Sequence, residues 1–382
     1  MGKGSWIALG LGCVGVGAIL YFVEPIDAGS QTPTLQPVTA DEAARFGQDF
    51  ARALASCRRP MLAAMMDQPH LVMRAADRVG LQGAERVGFV TGAGFNTITD
   101  GLCEPGDERQ VTLLRVRDVD GQPAPLLRVL GDDGLNYLQF TLTKDARGET
   151  RAVDIFPFAA GEPMSAAMAG LARGTMAEGP LAGFTLEQAI DRVDRAASAG
   201  DHAEAIRMLD EMPENVRTTK AIQLKRLQLA ASVGGIDYAS AIADFERRFP
   251  DDPALAMVSL DGLSMRGDWV GAAAQVARIE ALVGGDPHLG GMRASLLIKA
   301  GRDDDGLTLA RTTLSAAPDT TSAWDALVMG LAHKGEFAGI AKAIEEMRTR
   351  LQLDITADGL AGLDYMAPFL ASPEGKAWAA AH

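Results

Sequence analysis

Apolar residues change their spacing twice along this chain, and each change marks a different kind of element. From Thr39 to Asp67 they recur at helical intervals, with Phe46, Phe50, Leu54 and Met61 on one face. Thr39 followed three residues later by Glu42 forms a capping box, so a helix is expected from Ala40 to about Asp67. From Gln110 the interval shortens toward two. Residues 110–119, 124–133, 136–145 and 150–159 read as four strands, parted by Asp-Gly, Asp-Asp-Gly and Asp-Ala-Arg-Gly turns. Such turns between short alternating runs make antiparallel hairpins. Beyond residue 186 the helical interval returns and persists.

Within that last stretch Gly200, Gly235, Gly267, Gly301 and Gly335 are separated by 35, 32, 34 and 34 residues. Each closes one helical pattern, and another opens a few residues later. Asp251-Asp252-Pro253, Asp286-Pro287 and Pro318-Asp319 end the second helices, because proline cannot continue one. Gly200-Asp201-His202-Ala203-Glu204-Ala205-Ile206 is similar to the turn and second-helix opening of tetratricopeptide repeats. Gly267-Asp268-Trp269 and Gly335-Glu336-Phe337 repeat that step. A period near 34 built from paired helices is the family's signature. The resemblance implies about five helix pairs over residues 186–352, stacked as an all-α solenoid, with capping helices at 353–382. It implies a small residue five positions after each turn glycine. Ala205, Ala272 and Gly306 comply, Ala241 complies after a one-residue insertion, and Ile340 departs. It also implies a concave partner-binding groove lined by Asp194, Arg226, Met257, Asp261, Met265, Lys299, Met329 and His333. Several methionines there would suit adaptable contact with a peptide.

The strand region carries a second resemblance. Leu127-Arg128-Val129-Leu130, Asp133-Gly134-Leu135-Asn136-Tyr137, Val153-Asp154-Ile155-Phe156 and Gly161-Glu162 resemble the nuclear-transport-factor-two and ketosteroid-isomerase cone. That resemblance implies an α+β domain over residues 40–173, a helix against a curved antiparallel sheet, followed by a linker at 174–185. Cones of this kind can enclose a pocket. Asn136, Tyr137 and Asp154 fall on adjacent expected strands, and an inward-facing Asp154 would have a raised pKa and could act as a base.

The N-terminus adds a different signal. Trp6 to Val23 is an uncharged run of 18 residues, about 27 Å long as a helix and close to the thickness of a bilayer core. Lys3 precedes it, Glu24 and Asp27 follow, and no basic residue appears before Arg45. Residues 1–23 are therefore expected to be a transmembrane signal anchor with the N-terminus cytoplasmic. The bulk would lie in the periplasm of a bacterium, tethered to the inner membrane through a flexible linker at 24–39. A cleaved signal peptide is the competing reading. Gly10-Leu11-Gly12-Cys13-Val14-Gly15 matches a dinucleotide-binding fingerprint in letters only, since no strand precedes it. Gly4, Ala8 and Gly12 form a small-residue row that could pair two such helices into a homo-oligomer.

Chemistry narrows the picture chiefly by what is missing. A net charge of −14 excludes a nucleic-acid partner. The five histidines are scattered, and no nucleophile, phosphate-binding or metal-ligand motif occurs, so no cofactor or metal and no enzyme activity are expected. Cys57 and Cys103 are the only cysteines outside the apolar run, and in an oxidising compartment they could pair. The expected function is a membrane-anchored scaffold that holds another protein. The alternative is a small-ligand-binding or weakly catalytic cone whose solenoid serves oligomerisation.

Overall fold

The computed structural model describes residues 31–92, 102–103, 109–131, 134–176 and 182–381. Among these the chain is mostly helical, with one four-stranded antiparallel sheet in the order β1-β2-β3-β4. It divides into two compact units, one ending at Val258 and the other beginning at Ser259.

The first unit opens on α1 (Ala40–Ala55), with both arms of the expected capping box made. Glu42 N–H donates to Thr39 Oγ1 at 3.3 Å, and Thr39 N–H donates to Glu42 Oε2 at 2.9 Å. The helix stops twelve residues before the expected Asp67. Cys57 adopts a left-handed φ of 44°, and a new helix, α2 (Arg59–Met65), starts with Pro60 in its first turn. The break rotates Met61 out of the apolar face, so it is exposed while Phe46, Phe50 and Leu54 are buried. Cys57 bonds to Cys103, with their Cα atoms 5.6 Å apart. Arg59 Nη2 donates to the Cys103 carbonyl at 2.8 Å and fixes that strand of chain beside α2.

Helices α3 (Gln68–Val79) and α4 (Gly83–Gly92) follow. The four strands are β1 (Gln110–Val119), β2 (Gln122–Gly131), β3 (Gly134–Lys144) and β4 (Thr150–Pro157), each beginning within two residues of expectation. Asp120 and Gly121 both take positive φ, the two-residue mirror-image turn that matches strand twist. The Phe50 and Phe140 rings meet edge-on at 4.6 Å, and Phe46 meets Phe140 at 5.6 Å, which seats α1 on the sheet.

Two expected linkers are ordered structure in part. Within 24–39, Gln36 N–H donates to Thr143 Oγ1 at 2.8 Å and Val38 is buried. Within 174–185, α5 (Met164–Met176) continues through Gly174, whose carbonyl accepts from Asn215 Nδ2 at 2.5 Å, and α6 (Ala182–Ser198) begins early. The unit continues with α7 (His202–Asp210), α8 (Glu214–Arg217), α9 (Lys220–Val233) and α10 (Gly235–Arg248). Helix α11 (Leu255–Met265) runs across the division between the units.

The second unit holds α12 (Trp269–Val283), α13 (Pro287–Lys299), α14 (Asp303–Ala316), α15 (Thr321–His333) and α16 (Phe337–Leu351). Short helices α17 (Ala357–Ala361), α18 (Ala367–Ala371) and α19 (Pro373–Ala381) close the chain. Their Phe369 and Trp378 are buried with Trp324, Ile340 and Ile344, so they cover the last helix pair. At the small-residue positions Ala205, Ala241, Ala272 and Ile340 are all buried. At Gly306 a Cβ would lie 2.5 Å from Ile298 Cγ1 and 2.8 Å from the Ala294 carbonyl oxygen.

The expected fold class needs one correction. Among the described residues no helix is long and apolar enough to cross a membrane; the longest, α6, has 17 residues, five of them charged. The apolar run Trp6–Val23 lies outside the described residues. The transmembrane helix is therefore withdrawn from the fold, and with it the single-pass inner-membrane location and the periplasmic bulk.

Two stability outcomes follow from this packing. Gly306→Ala must displace backbone, so it should cost about 1–3 kcal/mol. Gly267→Ala meets nothing within 4 Å and should cost about 1–2 kcal/mol through its left-handed φ alone. Urea unfolding of each variant measures both. Replacing Cys57 and Cys103 by Ser opens a 46-residue loop, with an expected loss of about 4 kcal/mol, read from the same curves under non-reducing conditions.

Candidate functional site

The most regular geometry in the molecule is the turn between paired helices. Gly200, Gly267, Gly301 and Gly335 all have φ between 69° and 82°. In each case the residue after the glycine donates its N–H to the carbonyl five positions back. Asp201 donates to Ala196, Asp268 to Leu263, Arg302 to Leu297 and Glu336 to Leu331, all at 2.9 Å. This is the six-to-one bond of a Schellman cap, which satisfies carbonyls the ending helix leaves open. The same residue then starts the next helix, and Asp201 and Asp268 cap it with their side chains. The second turn differs: Gly234 and Gly235 both take positive φ and α10 begins at Gly235 itself. Counted from Gly234, the uneven 35- and 32-residue steps become 34 and 33.

Contacts between successive pairs repeat as well. Lys299, at the end of α13, places its ammonium 5.0 Å from the centre of the Trp269 ring at the start of α12. His333, at the end of α15, sits 3.2 Å from Asp303 at the start of α14, and the next residue, Lys334, donates to Asp304 at 2.6 Å. All these partners are thirty residues apart. Burial lowers the Lys299 ammonium pKa.

The expected groove divides along these lines. Met265, Lys299 and His333 share one repeat position, 34 residues apart and two before a turn glycine. Met265 is 47% exposed and Val270, in the first turn of α12, is 55% exposed. Met257, Asp261 and Met329 are buried, Asp261 at 1%, so these three are packing residues and line no surface. They lie one or two turns deeper in their helices than the shared end position. Asp194 pairs with Lys225 at 2.5 Å and Arg226 with Asp210 at 2.7 Å, local ties within the first unit.

The expected pocket of Asn136, Tyr137 and Asp154 does not assemble. Asp154 pairs across the sheet with Thr141, four residues along β3 from Tyr137. Its carboxylate accepts from Ser165 Oγ at 2.5 Å, Ser165 N–H at 3.2 Å and Arg74 Nε at 3.4 Å. It is a buried anchor between β4 and α5. Asn136 Oδ1 accepts from Ala159 N–H at 3.1 Å and holds the chain leaving β4. The buried Tyr137 ring packs edge-on against Phe158 at 6.1 Å. Among the described residues no cluster of His, Cys, Asp or Glu is arranged to hold a metal ion.

Two features escaped the sequence. One is Asp325 on α15, a carboxyl pushed up to about 6 by burial. Tyr365 is pushed up to about 12, by burial first and then by the Asp325 charge. Nothing in a lone Asp between Trp324 and Ala326 marks it. The other is a cavity walled by Arg78, Glu162, Arg173 and Lys220, which come from segments as much as 142 residues apart.

No protein-family model matches this sequence, and no curated protein matches it.

Asp325 gives the fold a pH dependence. Its folded pKa lies above the unfolded 3.8, so the folded state binds the proton more tightly. The penalty is absent below about pH 4, grows as pH rises to about 6 and is constant above. Stability should therefore fall between pH 4 and pH 7, by on the order of 3 kcal/mol from this group. Denaturant unfolding of Asp325→Asn should show that component gone.

Proposed function

We propose that this chain is a protein-binding adaptor built on a tetratricopeptide-like helix array, with no catalytic role. The observation that carries the reading is the repeat position shared by Met265, Lys299 and His333. The first helices of three successive pairs, α11, α13 and α15, end there on the same turn geometry, and each end stays at least partly open to solvent. Trp269 under Lys299 and the exposed Val270 that follows it supply apolar area, while Asp303, Asp304 and Lys334 supply charge. Arrays of helix pairs present such rows to an extended or helical segment of another protein, apolar anchors set among charges. A flexible methionine and a cation seated on tryptophan suit that role. Against catalysis stands Asp154, whose oxygens are committed to Ser165 and Arg74.

Partner capture by the full chain, followed by crosslinking and affinity purification, tests this reading. Met265→Glu with Val270→Glu should abolish the capture, and both sites are exposed enough to leave the melting temperature unchanged. An unchanged partner set in that double variant would remove the adaptor reading.

A further inference from the structure

Between the sheet-bearing part of the first unit and α9 lies a cavity of about 480 Å³. Three cations from three separate elements reach it: Arg78 from the end of α3, Arg173 from α5 and Lys220 from the start of α9. Its apolar wall is made by Ala166, Gly170 and Phe249. We propose that this cavity binds a small organic oxyanion, a carboxylate or phosphate ester carried on a compact apolar body. The proposal is independent of the adaptor reading.

The cations are fixed in place before any ligand arrives. Arg78 Nε donates to Ser165 Oγ at 2.8 Å, which leaves its terminal nitrogens for another acceptor. Arg173 Nη2 donates to the Arg78 backbone carbonyl at 2.6 Å, tying its guanidinium to the end of α3. Lys220 is paired with Asp252 at 2.6 Å, and that pair is largely buried. A guanidinium held this way loses little freedom on binding an oxyanion. The 14-residue α9 adds to the attraction. Its N-cap Thr219 makes no side-chain bond to the first turn, because its hydroxyl donates instead to the Val216 carbonyl at 2.7 Å. Its first N–H groups and the positive end of its dipole therefore stay available at Lys220 and Ala221, which line the cavity.

Glu162 is the one acid among the described residues of the cavity wall, and the backbone before it is tightly held. The preceding Gly161 has a φ of 64°, and a Cβ there would fall 2.4 Å from the Ala254 nitrogen. Burial raises the Glu162 carboxyl above the ordinary range; Asp252 adds to the rise, while Lys220, Arg78 and Arg173 oppose it. With Glu162 ionised, it and Asp252 offset two of the three cations. With Glu162 protonated, the net charge around the cavity rises by one. Oxyanion affinity should therefore increase as pH falls through the raised Glu162 pKa.

Calorimetric titration of the full chain with benzoate, phenyl phosphate and inorganic phosphate tests the site. Saturable binding of benzoate or phenyl phosphate is expected, and the preference between them identifies the head group. Arg173→Gln should weaken it about tenfold, the loss of one charge-assisted hydrogen bond. Glu162→Gln should tighten benzoate binding where Glu162 is ionised and flatten its pH dependence, read over a range in which benzoate itself stays ionised. Both variants are checked by melting temperature, and if Arg173→Gln unfolds, the Glu162→Gln profile decides. Binding of none of the three probes would overturn the proposal, and so would binding that neither variant changes.

Discussion

Everything regular in the helical part of this molecule depends on one backbone constraint at its turns. A helix that ends leaves carbonyls without partners, and a second helix must start at once if the two are to pack. A residue with positive φ solves both problems, since it lets the following N–H reach back to the carbonyl five positions earlier. Glycine takes that conformation without strain, and Gly200, Gly267, Gly301 and Gly335 all do so. The next residue then caps or begins the new helix. With the turn fixed, the small residues five positions later fall where the helices approach closest, and Gly306 shows how little room is left.

That constraint also explains which parts of the fold could be read in advance. Turn glycines, capping boxes and strand turns act through neighbours in sequence, so their signals are local. The Thr39–Glu42 box and the Asp120-Gly121 hairpin formed as expected, and β1 matched residue for residue. The end of α1 was misread although Pro60 marks it locally: the apolar period runs on past the left-handed Cys57, which the bond to Cys103 holds. Periodicity carried through the break at Cys57 and so gave one helix where there are two.

Site residues were harder to read, for a related reason. The repeat register places a residue along its helix, but it does not say how deep the neighbouring helices cover it. Met265 and Met257 look alike in sequence, yet one is exposed and the other is buried. Asp154 and Tyr137 sit on neighbouring strands, but the register separates them by four residues. The cavity beside α9 had no linear signature at all, since each wall contributes one charged residue from a different element. Gly161-Glu162 was the one visible trace, noted for fold and not for charge.

The measurement that bears most directly on the repeated turn is NMR-detected hydrogen exchange at four backbone amides, those of Asp201, Asp268, Arg302 and Glu336. Each is the donor of a 2.9 Å bond into the helix before it. If these caps organise the helix pairs, all four amides exchange slowly, as part of the packed structure and not as loop amides. Rapid exchange at these amides, at the rate of open turns, would contradict the account.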